Sequence, residues 1–451
     1  MPEDLLAMDY IGPIIKQEEV YCPPVMDYRV IPLTEKAIAL TDTLTSEAIS
    51  EGVNRRKRSG SRKMRKDVVL KLECCIRMIL SNLVAELVIE QASAEVRISR
   101  SNRDKRSTRY VPRWFTVDIC RLATELLRDG REALVTLKVG EYVAVKRSGD
   151  QSTLAPTQRL LGLAKGLFIR DFTHDKSHEV IVLKSRGSEE VCYWDRRPNG
   201  VRVEYSDTDF TNDARHKMNQ INDYLSMADI RFNGAPLTAL DRHLVRYFNE
   251  DFSRGGRLFK ACWQNTSKAA RHMYSINGSK CVEVDFKACN LYLAYASAGL
   301  SIGDCVKGDP YTFGGLGMSL KRKGIKTVML AMLGASKPLK RFPDGTRKEM
   351  DAAKSLKFSD VEALIFKKHE AIAHLFYKGI GMKLQFRESE ILVATLLELQ
   401  RHNVVALPIH DCVVVAEKDQ VVAKEVMLAV FFRLEGRNAV VEIEEYLNEA
   451  A

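Results

Sequence analysis

Asp285 closes the stretch VEVDF and Asp411 sits in LPIHDCVVV, so each carboxylate lies in a run that otherwise favours burial. Burying an ionised carboxylate is costly unless a cation or hydrogen bonds compensate it. Between them, LKRKGIKTVMLAMLGAS (320–336) sets Arg322 and Lys326 four residues apart, on one face of a helix. Two cations on one face suit a triphosphate, because they offset the charge that grows as pyrophosphate leaves. A carboxylate at the end of a central strand, just before a helix, is placed to hold a metal at the sheet edge. Each feature alone also has an ordinary reading: Asp285 as a helix N-cap, and Arg322 with Lys326 as a solvated basic face. A phosphohydrolase of the His-Asp type needs that dipeptide in helices, with a further His and Asp, whereas His410-Asp411 lies between strands. The same dipeptide at His174-Asp175, in the polar stretch FTHDKSHEV, needs only solvation. His174 and His178 are four apart, but Lys176 between them speaks against a metal there.

These residues need particular elements to position them. VEVDF predicts a short strand and CNLYLAYASA an apolar helix with Tyr292 and Tyr295 in the core. The 320–336 stretch predicts a helix with Val328, Met329, Ala331 and Met332 behind the cations, and Gly334 lets it end or lets another backbone approach. VVAL and CVVV predict strands on either side of His410-Asp411. Upstream, 67–91 and 117–130 have helical periodicity. ALVTLKVG and EYVAVKRSG alternate like a hairpin tipped by Lys146 and Arg147, so 107–165 reads as a winged helix or as an ordinary α+β subdomain. EVIVLKS and GVRVEYS are strand candidates, and helices are expected over 212–228 and 238–250. Residues 1–50 carry scattered prolines and read as an extended arm. NRRKRSGSRKMRK (54–66) has eight basic residues and no acidic one, which fits a solvated linker or a phosphate-tracking segment.

A chain of 451 residues has room for two or three domains. Its 69 Lys and Arg against 59 Asp and Glu give a net charge of +10, which leans toward polyanionic partners. The ten cysteines contain no CxxC pair and read as reduced thiols of a cytoplasmic protein. MPEDLLAMDY lacks the basic-then-apolar pattern of a signal peptide, and no apolar run is long enough to span a membrane.

Strand-Asp, cationic helix, then strand-turn-His-Asp, in that order, resembles motifs A, B and C of the family A DNA polymerases and the related single-subunit RNA polymerases of phage and mitochondria. SRGGRLFKACWQNTSKAARHMYSINGSKCVEVDF is similar to the family segment leading into motif A, with Gly256-Arg257-Leu258 and Gln264-Asn265 in corresponding places. KGDPYTF (307–313) resembles the Asp-x-Tyr before motif B of the phage-type enzymes, and LQFRESEIL (384–392) the helix before motif C, with Gln385 and Glu390 matching in spacing. The resemblance covers about residues 250 to 430. Three positions depart from it. Leu333-Gly334 stands where the family has an aromatic-Gly pair, with one residue fewer after the lysine. Asn290 stands where the DNA polymerases carry a ribose-excluding glutamate and the phage-type RNA polymerases a glycine. Cys412 replaces the usual Glu or Ser.

The resemblance implies an α+β fold: a right-hand polymerase palm with an antiparallel sheet and helical fingers over 251–451. A mixed α/β nucleic-acid-binding or thumb-like region over 67–250 and an arm with basic linker over 1–66 would precede it. It implies template-directed nucleotidyl transfer with two Mg²⁺ ions, for which Mn²⁺ can substitute, held by Asp285, Asp411 and the Phe286 carbonyl. Arg322 and Lys326 would bind the triphosphate, Lys326 also donating a proton to pyrophosphate, with Asn290 and Leu333 in the same triphosphate-and-sugar site. Arg257, Gln264, Gln385 and His410 would contact a DNA or RNA primer-template. No Asp-x-Glu occurs in residues 1–250, so no proofreading exonuclease is expected. A phage, plasmid or other mobile element is the analogous setting. An RNA polymerase or primase on the same fold, and a binding protein whose palm has lost activity, remain alternatives.

Overall fold

A computed structural model describes residues 30–60, 63–90, 96–97, 117–129, 133–138, 153–168, 171–175, 179–185, 202–313, 321–350 and 356–445. The chain forms two compact units: one of 1–208 with 235–244 and 260–266, the other of 209–234, 245–259 and 267–451.

In the first unit, helices Glu35–Arg58, Lys66–Glu90 and Val117–Arg128 pack on one another. Leu44, Leu72, Ile76, Ile79, Ala123 and Leu127 fill the space between them. The arm expected over 1–66 is therefore a helix from Glu35 onward, because Ala37, Leu44 and Ala48 supply a buried stripe that outweighs the polar composition. Likewise 54–58 of the basic run complete that helix and do not form a linker. Val135–Lys138 pairs antiparallel with Thr153–Pro156, which also pairs with Val96–Arg97. The second strand of the expected hairpin, 141–149, lies outside the described residues, as does most of the winged-helix reading's basic wing.

The helix expected over 238–250 is not formed. Only Ala239–Arg242 is helical, started by Asp241 accepting from the Thr238 N–H (2.8 Å), and Val245–Asn249 is a strand. Val245, Arg246 and Phe248 are buried, so both faces of the segment are covered, and β-branched Val245 with aromatic Tyr247 and Phe248 favours the pleated form.

The second unit begins at Asp209, well before the expected boundary at 251. Helix Asp209–Met227 belongs to it because Phe210 meets Phe248, Phe252 and Phe386 at ring distances of 5.9, 6.0 and 6.2 Å. Its sheet centres on the strand Ser279–Phe286. That strand pairs antiparallel with Cys412–Ala416 on one side and Val441–Glu445 on the other. Ala406–Ile409 adds to the Cys412 strand as a hairpin, and Tyr274–Ile276 pairs with both Ser279–Lys280 and Ile230–Phe232. Helix Gln420–Glu435 covers one face, with Phe431 against Phe286 (5.5 Å). Helix Gly381–Arg401 packs on the strand Asp251–Phe259 and on helix Cys289–Ser297. Among the described residues no helix is long and apolar enough to cross a membrane.

Asp251–Phe259 bends at Gly256, whose φ is 80°. The Gly256 carbonyl accepts from Nε of Arg246 (2.8 Å), a guanidinium that is only 1% exposed. A Cβ at Gly256 would stand 2.5 Å from Ser389 Oγ and 3.1 Å from Arg246 Nη2. Gly256→Ala is therefore expected to lower stability by about 1–3 kcal/mol through strain and displacement of that network, read as a lower urea midpoint with an unchanged m-value.

Candidate active site

The central strand and the 406–416 hairpin bring the two sequence-predicted aspartates together. Asp285 faces Cys412 across the strand pair, and Asp411 is the residue just before Cys412, in a two-residue turn. The Phe286 N–H points to the Asp411 carbonyl at 3.5 Å. His410 supplies the turn with a φ of 57°, a left-handed conformation that a non-glycine residue rarely adopts. The Cys412 thiol donates to Ile409 O (3.2 Å) across that turn.

Asp285 Oδ1 is buried and has no hydrogen-bond partner. Burial first, then the charges of Asp411 and Glu283, push its carboxyl up to about 8, while the Lys326 ammonium pulls the other way. Glu283, two residues earlier on the same face, is a buried carboxylate that the sequence reading missed. It is satisfied by Arg271 Nη1 (2.7 Å) and Lys268 Nζ (3.7 Å). Asp285 is thus the poorly compensated member of this acidic group. Its donors are hard oxygens, which suit Mg²⁺ or Mn²⁺ and not a soft metal. Among the described residues no three His, Cys, Asp or Glu side chains are arranged to hold a metal ion. An ion here would rest on two carboxylates, with backbone, water and substrate oxygens completing its shell, as is usual for Mg²⁺.

Beside the aspartates lies a second buried carboxylate, Glu388, 2% exposed. Its Oε1 accepts from Arg257 Nε (2.7 Å) and its Oε2 from Asn290 Nδ2 (3.1 Å). With its amide turned to satisfy both groups, Gln385 Oε1 accepts from Arg257 Nε (3.2 Å) and Nη1 (3.0 Å). Gln385 and Glu388 share a helix face at a spacing of three, which is the signal that could have found Glu388. Burial pushes the Glu388 carboxyl up to about 7; the Arg257 charge opposes this and the Asp411 charge adds to it. Two residues on, Glu390 pairs with the buried Arg246, so this residue serves the fold. His410 packs edge-on against Phe259 (6.1 Å), and its Nδ1 is buried without a partner. Burial and then the Arg257 charge lower its pKa against the pull of Asp411, so the ring is neutral at pH 7.

The cationic helix runs Arg322–Gly334. Arg322 Nε donates to Asp309 Oδ2 (2.9 Å), and its guanidinium lies 5.0 Å over the Tyr311 ring. Tyr311 is fully buried, with a hydroxyl that has no hydrogen-bond partner. The 309–312 loop is tied down from below: Lys368 Nζ donates to Asp309 O (2.7 Å) and Thr312 O, and His369 Nε2 to Pro310 O (3.0 Å). His369 Nδ1 then accepts from the Tyr295 hydroxyl (3.1 Å), so Tyr295 is a core residue. Lys326, one turn beyond Arg322, is half-buried.

Not every predicted residue joins this group. Leu333 is packed in the core at 1% exposure, where its side chain fills space behind the helix. Gly334 is approached closely, yet the residue that needs to be glycine is Gly381, whose Cβ would stand 3.0 Å from Gly334 Cα. Gln264 belongs to the first unit, in the turn Cys262–Gln264 beside the buried Trp263. No protein-family model matches the chain, and no curated protein matches it.

Proposed function

We propose that the chain is a template-directed nucleotidyltransferase of the family A DNA-polymerase type. The observation that carries this reading is the aspartate pair: Asp285 and Asp411 on adjoining strands, with a buried, partnerless Asp285 oxygen and Lys326 as the opposing charge. A purely structural carboxylate pair would be expected to end in hydrogen bonds or to be replaced by apolar residues. Arg257, Asn290 and Gln385 converge on the neighbouring Glu388 cluster, and Arg322 reaches Asp309 from the following helix.

In this reading Asp285, Asp411 and the Phe286 carbonyl would hold two Mg²⁺ ions, replaceable by Mn²⁺, which would supply charge neutralisation for a phosphoryl group and its nucleophile. The protein's own residues do the rest. Lys326, whose charge opposes that of Asp285, would neutralise the leaving pyrophosphate and donate a proton to it. Arg322 exchanges the Asp309 carboxylate for a phosphate oxygen, keeping its stacking on Tyr311. Arg257, fixed by Glu388 and Gln385, would present the spare N–H groups of its terminal nitrogens to the primer-template backbone. His410, neutral and packed on Phe259, flanks the primer terminus without adding charge.

A single-subunit RNA polymerase or primase on the same site is the second reading, and Asn290 favours it. A neutral amide, held by Glu388, stands where a ribose-excluding glutamate would be. Extension of a labelled primer-template by the purified protein with Mg²⁺, run separately with dNTPs and NTPs, tests both. Incorporation of dNTPs is expected; preference for NTPs, or synthesis without a primer, moves the assignment to the second reading. A protein that binds duplex and extends nothing under any of these conditions is not a polymerase.

A further inference from the structure

The basic run 54–66 is the strongest charged feature that the aspartate site leaves unused. Its described residues lie at the adjoining ends of two packed helices. Helix Glu35–Arg58 carries Arg56, Lys57 and Arg58 in its last turn, and Lys63, Arg65 and Lys66 lead into helix Lys66–Glu90. Lys57, Arg58, Lys63, Arg65 and Lys66 are exposed. The two helices are locked below the tip by Arg77 Nε to Asp42 Oδ1 (2.7 Å) and by buried Leu44, Leu72, Ile76 and Ile79. The cations are therefore presented on a braced support.

Intramolecular stability does not account for them. Cations in the last turn of a helix are favoured by its dipole, but cations entering the first turn of the next are disfavoured. Among the described residues no carboxylate pairs with Lys57, Arg58, Lys63, Arg65 or Lys66. The nearest in sequence, Asp67, lies 3.9 Å from Lys71. Mutual repulsion at this tip is relieved by an external polyanion. The run contains no Phe, Tyr or Trp, so it offers no platform on which unpaired bases could stack. What it offers is charge at two adjoining segments, which matches the regular phosphates of a duplex.

We propose that this helical tip grips the phosphodiester backbone of double-stranded DNA without reading its sequence. The interaction is independent of the chemistry assigned to Asp285 and Asp411. The test is the salt dependence of binding of the full chain to a blunt duplex of mixed sequence, by fluorescence anisotropy. Lys57→Gln/Arg58→Gln/Lys63→Gln/Arg65→Gln is compared with the unsubstituted chain. The log–log slope is expected to become shallower by about 0.9 for each phosphate that is no longer neutralised, hence by about 3–4, with at least about tenfold weaker binding at low salt. The urea midpoint should not fall, since the substitutions remove mutually repelling charges. Should the fourfold variant fold poorly, Lys63→Gln/Arg65→Gln, which lies outside both helices, is expected to give about half the change in slope. An unchanged slope in a folded variant overturns the proposal. So does tighter binding to a single strand than to the duplex, or loss of binding to anionic phospholipid vesicles with duplex binding intact. Asp285→Ala/Asp411→Ala is expected to keep the full slope, which separates a failure of the tip from a failure of the polymerase reading.

Discussion

Asp285→Ala and Asp411→Ala are each expected to lower primer extension by at least about a thousandfold, the scale of several kcal/mol of lost transition-state charge stabilisation. Duplex binding should survive, since the aspartates repel phosphate. A distinct stability signature accompanies this loss. In the folded chain burial, then Asp411 and Glu283, raise the Asp285 carboxyl from 3.8 to about 8. Over that window the folded chain holds a proton that the unfolded chain has lost. The stability from this group is therefore full below the unfolded value and is lost as pH rises through about 8. Asp285→Asn cannot ionise, so its melting temperature should fall less than that of the unsubstituted chain between about pH 5 and about pH 9. At the alkaline end Mg²⁺ should raise the melting temperature of the unsubstituted chain and leave Asp285→Asn nearly unmoved. An Asp285→Asn variant with full extension activity, or a parallel pH dependence of the two proteins, would remove the aspartate pair from both roles. Better stability with lost activity would place this pair among sites where function is kept at the expense of the fold.

The Arg257–Glu388 pair should give the largest effect on folding. Glu388 is buried, and Arg257 is its principal cation at 2.7 Å, with Asn290 on the other oxygen. Arg257→Ala leaves a buried carboxylate with only an amide donor, which costs about 3–5 kcal/mol in comparable pairs. The partial exposure of Arg257 lets water enter and moves the expectation to the lower end. Glu388→Gln should cost less, because the amide retains an acceptor for Arg257 and loses the desolvated charge. Arg257→Met/Glu388→Met should recover most of the loss. A double-mutant cycle from urea unfolding reads the coupling directly; additive effects within experimental error would show that the pair does not act as a unit. Extension activity should fall in Arg257→Ala, where Gln385 loses its partner, and in the double variant, where Asn290 loses its partner as well, and least in Glu388→Gln, which keeps an acceptor for both Arg257 and Asn290.

Much of the second unit is legible in its residues alone. VEVDF and CVVV could only be strands, because β-branched residues run without a helical period, and the turn between VVAL and CVVV fixed Asp411 at its tip. The cationic helix was equally plain, since a polar face over 322–326 backs onto Val328, Met329 and Met332. Order along the chain suggested that Asp285 and Asp411 are neighbours in space; strand pairing brings them together, because register is a property of two distant segments together. Other positions could be settled only in three dimensions. Glu388 and Glu390 look alike in LQFRESEIL, yet one faces Arg257 and Asn290 while the other neutralises Arg246, a difference set by about half a helical turn. Glu283 reads as an ordinary strand residue until Arg271 and Lys268 are folded over it. Leu333 has the sequence position of a site residue and the burial of a core one. The segment 35–58 misled in the opposite direction: its polar composition hides a single apolar stripe that has value only when the next two helices cover it. The sequence by itself determined which segments of the second unit's site are strands and helices and which charges they carry. Which of those charges meet, and which stay uncompensated, was decided by packing between segments more than a hundred residues apart, where burial makes an unpaired carboxylate expensive and a paired one tolerable.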